Sequence, residues 1–175
     1  GYTGELLREA DPAFADTILR VRYDYNRALA DMYLENFVET FHTWSNENGC
    51  QSRYQAYGMP WHIDISKGNM IPDIPETNNW LFSDPYYHGF HTWNKYASSG
   101  GHLTGKQVIS SEAMTNTRGV FMTTLDQIKR ADDFNFICGV NHSVLHGYNY
   151  SPPEAGFPGW IRFGSYFSEQ NTWWP

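Results

Sequence analysis

Three carboxylates stand where they could act together. Asp73 and Glu76 lie three residues apart in Asp73-Ile74-Pro75-Glu76, a segment stiffened by Pro72 and Pro75, and Glu112 closes the run Ile109-Ser110-Ser111-Glu112. Cleavage of a glycosidic bond needs two carboxyl groups facing the scissile bond. One protonates the leaving oxygen, and the other activates water or attacks the anomeric carbon. A proton donor needs its pKa raised by burial or by a neighbouring anion, and carboxylates on adjacent strand ends repel one another in that way. The competing reading of Asp-x-x-Glu is a helix cap or a surface pair. Arg53 and Gln55 are two residues apart, so on a strand their side chains share a face, able to reach a sugar hydroxyl or to hold a catalytic carboxylate. A structural ion pair is the alternative for Arg53. His142 and His146 are four apart with Ser-Val-Leu after the first, which excludes a zinc-binding H-E-x-x-H helix. His146, Tyr148 in the loop after it, and Trp173 are further candidates for substrate binding, Trp173 as the wall of a sugar subsite or as a core plug.

These residues are positioned by helices that alternate with short strands. Apolar positions Tyr25, Leu29, Met32, Tyr33, Phe37, Phe41 and Trp44 recur at helical spacing and predict an amphipathic helix over Tyr23–Glu47, stopped by Asn48-Gly49. A strand is expected over Gln51–Tyr57, ended by Gly58-Met59-Pro60, and an extended piece over Ile71–Glu76. A helix over Tyr86–Ser99 precedes a strand over Lys106–Glu112. A helix over Thr124–Gly139 is capped by Thr123 or Thr124 and precedes a strand over Val140–His146. The loop Gly147–Trp174 is too long for a simple connector. This alternation predicts an α/β fold with parallel strands and right-handed crossovers. An open doubly wound sheet fits the pattern equally well. Each strand is expected to end in reactive residues, Arg53 and Gln55, then Asp73 and Glu76, then Glu112, then His146, which favours a (β/α)8 barrel, in which those ends converge on one face. Such a barrel takes about 250 residues. The expectation for residues 1–175 is therefore a single, partial catalytic barrel domain, incomplete at one or both ends.

Composition narrows the classes. The formal net charge of -7 with 12 Lys and Arg leaves no basic stripe for phosphates, so nucleic acid is excluded as a partner. Aromatics make up 17% of the chain. Many lie among Gly, Pro, Asn and His, the mixture of flat apolar faces and polar groups that a sugar site uses. Cys50 and Cys138 are too few for a disulfide framework and fit no zinc pattern. The sequence has no secretory apolar region, membrane-length apolar run or lipidation signal, so no membrane partner is expected. The lack of a G-x-S-x-G elbow, Walker loop or G-x-G-x-x-G argues against acyl transfer, nucleotide hydrolysis and dinucleotide chemistry. Oligomeric state leaves no trace.

Five segments in order, RYQAYGMP (53–60), DIPET (73–77), SSGGHLTGKQVISSEAMT (98–115), GVNHSVLHGYNYSP (139–152) and FPGWIRFGSYFSEQNTWW (157–174), resemble glycoside hydrolase family 106, the α-L-rhamnosidases. The resemblance implies a (β/α)8 catalytic barrel within a longer chain. It implies a carbohydrate substrate bearing terminal α-L-rhamnosyl or related deoxysugar linkages, inversion, calcium, and a secreted or periplasmic location. Carried onto this sequence, it makes Asp73 and Glu76 the Asp-x-x-Glu pair with Glu76 as general acid. Glu112 becomes base or a calcium or substrate ligand, unless the base lies beyond Pro175. At Asn78 the sequence departs from the acidic residue expected after DIPET, which leaves the metal ligands unassigned. The alternatives are a non-catalytic or degenerate glycan-binding barrel and a barrel hydrolase acting on another glycan.

Overall fold

The structure is a computed structural model. It describes residues 6, 9, 11–56, 64–81, 89–116, 119, 121–148, 150–160 and 164–174, apart from the side chains of 89–93. Helix α1 (Ala15–Tyr33) runs through a π-helical stretch (Leu34–Glu39) into α2 (Thr40–Glu47). Strand β1 (Arg53–Gln55), the short helix α3 (Ile65–Gly68), β2 (Ile74–Leu81), α4 (Gly89–Leu103), β3 (Ser110–Asn116), α5 (Leu125–Ile137) and β4 (His142–Leu145) follow.

All four strands are parallel and pair in chain order β1-β2-β3-β4. A doubly wound sheet reverses its strand order at a switch point; this one does not. Every crossover therefore steps the same way, as in the wall of a (β/α) barrel, and the sheet is open. Strand alternation assigns the faces. Thr77, Asn79 and Leu81 of β2 face the helices, while Glu76 and Asn78 share the opposite face.

The helical layer is tied down by a buried polar chain. Thr77 donates to Asn94 Oδ1 of α4 at 2.8 Å, and Asn94 donates to Asn135 Oδ1 of α5 at 3.1 Å. Asn135 and Ser143 of β4 both donate to Asp132 Oδ1. Apolar clusters flank it: Ala97, Ile109 and Val140 on one side, and Leu81, Ala113, Met114 and Phe167 on the other.

Several expected elements keep their identity and shift their bounds. Helix α5 has the full capping box, with Thr124 and Gln127 bonded reciprocally, and it stops before Gly139 at φ 94°, a conformation suited to glycine. Strand β3 begins at Ser110 rather than Lys106 and runs on to Asn116, so Glu112 lies inside it and does not close it. Strand β2 begins after Asp73, not with it, and continues to Leu81. Tyr57 to Pro60 and Tyr86 to His88 lie outside the described residues. The long helix differs in its buried face. Leu34, Val38 and Ser45 are buried, whereas Tyr25, Met32, Phe37, Phe41 and Trp44 are each more than a third exposed. The π-helical stretch lengthens each turn and so rotates the face that continues from α1 into α2. Among the described residues no helix is long and apolar enough to cross a membrane.

Gly100 tests the helix packing. A Cβ there would lie 2.8 Å from Asn69 Cβ and 2.9 Å from its carbonyl carbon and oxygen, and backbone atoms cannot step aside cheaply. Gly100→Ala should therefore lower stability by about 1–3 kcal/mol, despite the better helix propensity of alanine. Urea denaturation of the full-length protein would measure the loss.

Candidate active site

The polar face of the sheet gathers its side chains around Gln55, the last residue of β1. Register pairs Gln55 with Glu76, Glu76 with Ser110, and Asn78 with Glu112. The side chains that follow from those pairings meet. Gln55 Nε2 donates to Glu76 Oε1 at 2.7 Å and to Glu112 Oε2 at 2.9 Å, so one amide joins the two carboxylates. On its other oxygen Glu76 accepts from Ser110 Oγ at 2.6 Å and pairs with Arg53 Nε at 3.0 Å. Glu76 is 5% exposed. The free oxygen of Glu112 accepts from Thr115 Oγ1 at 3.1 Å and lies 3.0 Å from His146 Nδ1, which is also 2.9 Å from Thr115 Oγ1. Asn78 Nδ2 reaches Gln55 Oε1 at 3.4 Å.

Thr115 joins this group through a backbone irregularity. Regular alternation from Glu112 would place Thr115 on the helical face. Instead the β2–β3 register shifts between Asn78 and Trp80, and Met114 adopts φ 70°, a left-handed conformation unfavourable for a side chain with a Cβ. Two side chains hold it there: Asn79 Oδ1 accepts from Met114 N at 2.7 Å, and Ser165 Oγ donates to Met114 O at 2.9 Å. The bulge sends Met114 into the apolar cluster and turns Thr115 toward Glu112.

Of the residues singled out from sequence, Arg53, Gln55, Glu76, Glu112 and His146 are brought together, and Tyr148 lies exposed two residues beyond His146. Asp73 and Trp173 are elsewhere. Asp73 stands just before β2, and its Oδ2 accepts from Ser52 N at 2.8 Å, Ser52 Oγ at 3.0 Å and Asn46 Nδ2 at 3.1 Å. Burial alone pushes the Asp73 carboxyl up, but the Ser52 amide and hydroxyl, Asn46 and the nearby His42 together hold it below its ordinary value. Trp173 packs edge-on against Phe167 at 5.6 Å on the helical side and donates from Nε1 to Thr123 O at 2.8 Å. Ser110, Asn78 and Thr115 are not among the site residues named from sequence, Asn78 entering only as a departure from an expected acidic residue. Strand alternation from Glu112 and Glu76 would have found the first two; the bulge that delivers Thr115 has no sequence signature.

The donor set does not fit calcium, which takes six to eight oxygen ligands. The carboxylate oxygens here are engaged by N–H and O–H donors, one of them cationic. Among the described residues no group of three or more His, Cys, Asp or Glu could hold a metal ion.

Three comparisons bear on this geometry. A family model described as alpha-L-rhamnosidase matches residues 3–175. The solved structure of a rhamnosidase from Novosphingobium sp. PP1Y is similar with TM-score 0.75 and 27% identity, over 85% of this chain and 15% of that one. A Formosa agariphila protein carrying a provisional beta-glucuronidase name is 24% identical over 157 residues, 89% of this chain and 13% of its own length. The chain thus spans about one seventh of the proteins it matches.

Asp73 should therefore behave as a structural group. Asp73→Ala should lower stability by about 1–3 kcal/mol at neutral pH, as expected when buried donors lose their acceptor. Because the folded value is depressed, the wild-type advantage is complete above the ordinary aspartate value of about 3.9 and disappears as pH falls through the lower folded value. Urea titrations of both proteins across that range would reveal it.

Proposed function

This chain belongs to the α-L-rhamnosidase family, and from that premise we propose that it forms part of the catalytic domain of a glycoside hydrolase that removes terminal α-L-rhamnosyl, or related deoxysugar, residues from glycans. One observation carries the reading: two carboxylates, Glu76 and Glu112, are fixed on the polar face of the sheet by a single amide. Glu76 is the proton donor to the leaving oxygen. Arg53, Gln55 and Ser110 fix its orientation, which a donor aimed at one oxygen requires. Glu112, steadied by Thr115 and His146, faces the sugar.

Glu112 is not the water-activating partner of Glu76 in this reading. Their facing oxygens are no farther apart than the two Gln55 bonds laid end to end, and the amide fills the space between them. An inverting pair stands about 6.5–9.5 Å apart, with room for water. Inversion therefore calls for a base other than Glu112. Calcium, if the full-length protein uses it, takes its ligands from outside this group as well. Dialysis against EDTA followed by calcium readdition would show whether activity depends on it. Action outside the cytoplasm is likewise part of the proposal.

A β-glucuronidase reading follows from the Formosa agariphila relative. A uronic acid brings its own carboxylate and calls for an uncommitted cation. Among the described residues the guanidinium at this group, Arg53, is already paired with Glu76, which favours a neutral sugar.

The test is hydrolysis by the full-length protein of aryl α-L-rhamnosides and the matching aryl β-D-glucuronide. Glu76→Gln should lower kcat on a rhamnoside with a poor leaving group by about 10²–10⁴-fold, with much of the loss recovered on a dinitrophenyl leaving group that needs no proton. An equal loss on both substrates would remove the donor role from Glu76. Binding of glycans without cleavage of any would favour a non-catalytic domain.

A further inference from the structure

Asn78 is 2% exposed and stands on β2 between the two carboxylates, in register with Glu112 and two residues from Glu76 on the same face. Its amide nitrogen donates to Gln55 Oε1 at 3.4 Å. Its carbonyl oxygen Oδ1 is buried and has no hydrogen-bond partner among the described residues. Buried acceptors are almost always satisfied, because leaving one unpaired forfeits its hydration. Reversing the amide offers no escape. It would set Asn78 Oδ1 against Gln55 Oε1, two acceptors facing each other, and would strand the NH₂ group instead. The orientation is therefore determined by Gln55, whose own orientation is determined by the two carboxylates.

The remaining acceptor sits among groups that are otherwise saturated. Glu76 and Glu112 have their oxygens engaged, Gln55 has used both ends of its amide, and Ser110 donates to Glu76. The oxygen is closed to solvent in this structure, so a ligand entering this face reaches it only as the side chains over it move aside, and then meets an acceptor that asks for a donor. Sugar hydroxyls are such donors, and a neutral acceptor suits a neutral sugar better than a third carboxylate beside Glu76 and Glu112, where like charges would repel.

We propose that Asn78 is a substrate-recognition residue whose Oδ1 accepts a hydrogen bond from one ring hydroxyl of the bound sugar. Asn78 Nδ2 at the same time fixes the Gln55 amide that bridges the two carboxylates. The inference rests on the hydrolase reading above and adds to it a specificity-determining contact at a position where an acidic residue was expected.

Aryl α-L-rhamnosides lacking the 2-, 3- or 4-hydroxyl separate this role from a structural one. With the wild-type full-length protein, one of the three should lose about tenfold or more in kcat/KM relative to the parent glycoside. In Asn78→Ala, that same comparison should collapse toward unity while the other two remain as in wild type. A uniform loss on all four substrates would overturn the contact and leave Asn78 with packing alone. So would a wild-type protein indifferent to every deoxygenation, a result that does not depend on the variant folding. A variant defect that saturating calcium repairs would assign the oxygen to a metal and overturn the hydroxyl contact. Should the wild-type protein cleave no rhamnoside at all, the hydrolase reading itself falls, an outcome distinct from cleavage with unchanged discrimination at Asn78.

Discussion

Two carboxyl groups on neighbouring strands of one sheet are the constraint around which this structure is arranged. Parallel register places Glu76 and Glu112 two residues apart along adjacent strands. At separations near 5 Å, two unit charges repel by about 3 kcal/mol at an effective dielectric constant of about 20. The fold answers with donors rather than distance. Gln55 gives one N–H to each carboxylate, and Arg53, Ser110 and Thr115 occupy the remaining directions, with His146 beside Glu112. Each of those donors owes its place to register. Gln55 ends β1 opposite Glu76, Ser110 begins β3 opposite Glu76, and Thr115 is delivered by the Met114 bulge. The result is a polar face whose geometry is determined before any ligand arrives, which is what positioned acid–base chemistry requires.

The opposite face supplies the rigidity. The chain from Thr77 through Asn94 and Asn135 to Asp132 and Ser143 runs across two strands and two helices, each member satisfied by the next. A one-residue slip of β2 would exchange Glu76 and Thr77 between faces and break both networks together. The buried polar groups thus specify register where apolar contacts alone would tolerate sliding. Met114 contributes from the same side. Its left-handed backbone is maintained by Asn79 and Ser165, and its side chain joins Leu81, Ala113 and Phe167 in the apolar cluster.

Much of this was legible in the residues, for identifiable reasons. The period change from helix to strand gave the alternation of elements, and Thr124 with Gln127 and Gly139 marked both ends of α5. Arg53 and Gln55 share a functional face because strands have period two. Asp73 misled because its spacing of three from Glu76 is odd: it stands just before Ile74, the first paired residue of β2, and an odd offset along a strand leads away from the face that carries Glu76. The aromatic stripe on the long helix misled in its second half because a π-helical stretch breaks the 3.6-residue period on which face assignment rests; the exposure of Tyr25 and Met32, which precede it, has no such cause. Thr115 could not be foreseen, since a bulge is decided by the tertiary contacts of Met114 rather than by local propensity. Trp173 follows Asn171-Thr172 in a loop, and only packing against Phe167 decides its side of the sheet.

The amide of Gln55 is where the account is most exposed to direct observation. Neutron diffraction from deuterium-exchanged crystals of the full-length protein at neutral pH would locate the hydrogens on that side chain. The account predicts two deuterons on Nε2, one directed at Glu76 Oε1 and the other at Glu112 Oε2, with Oε1 of Gln55 turned toward Asn78. A deuteron shared between the two carboxylates, or a Gln55 amide bonded to one of them alone, would contradict it.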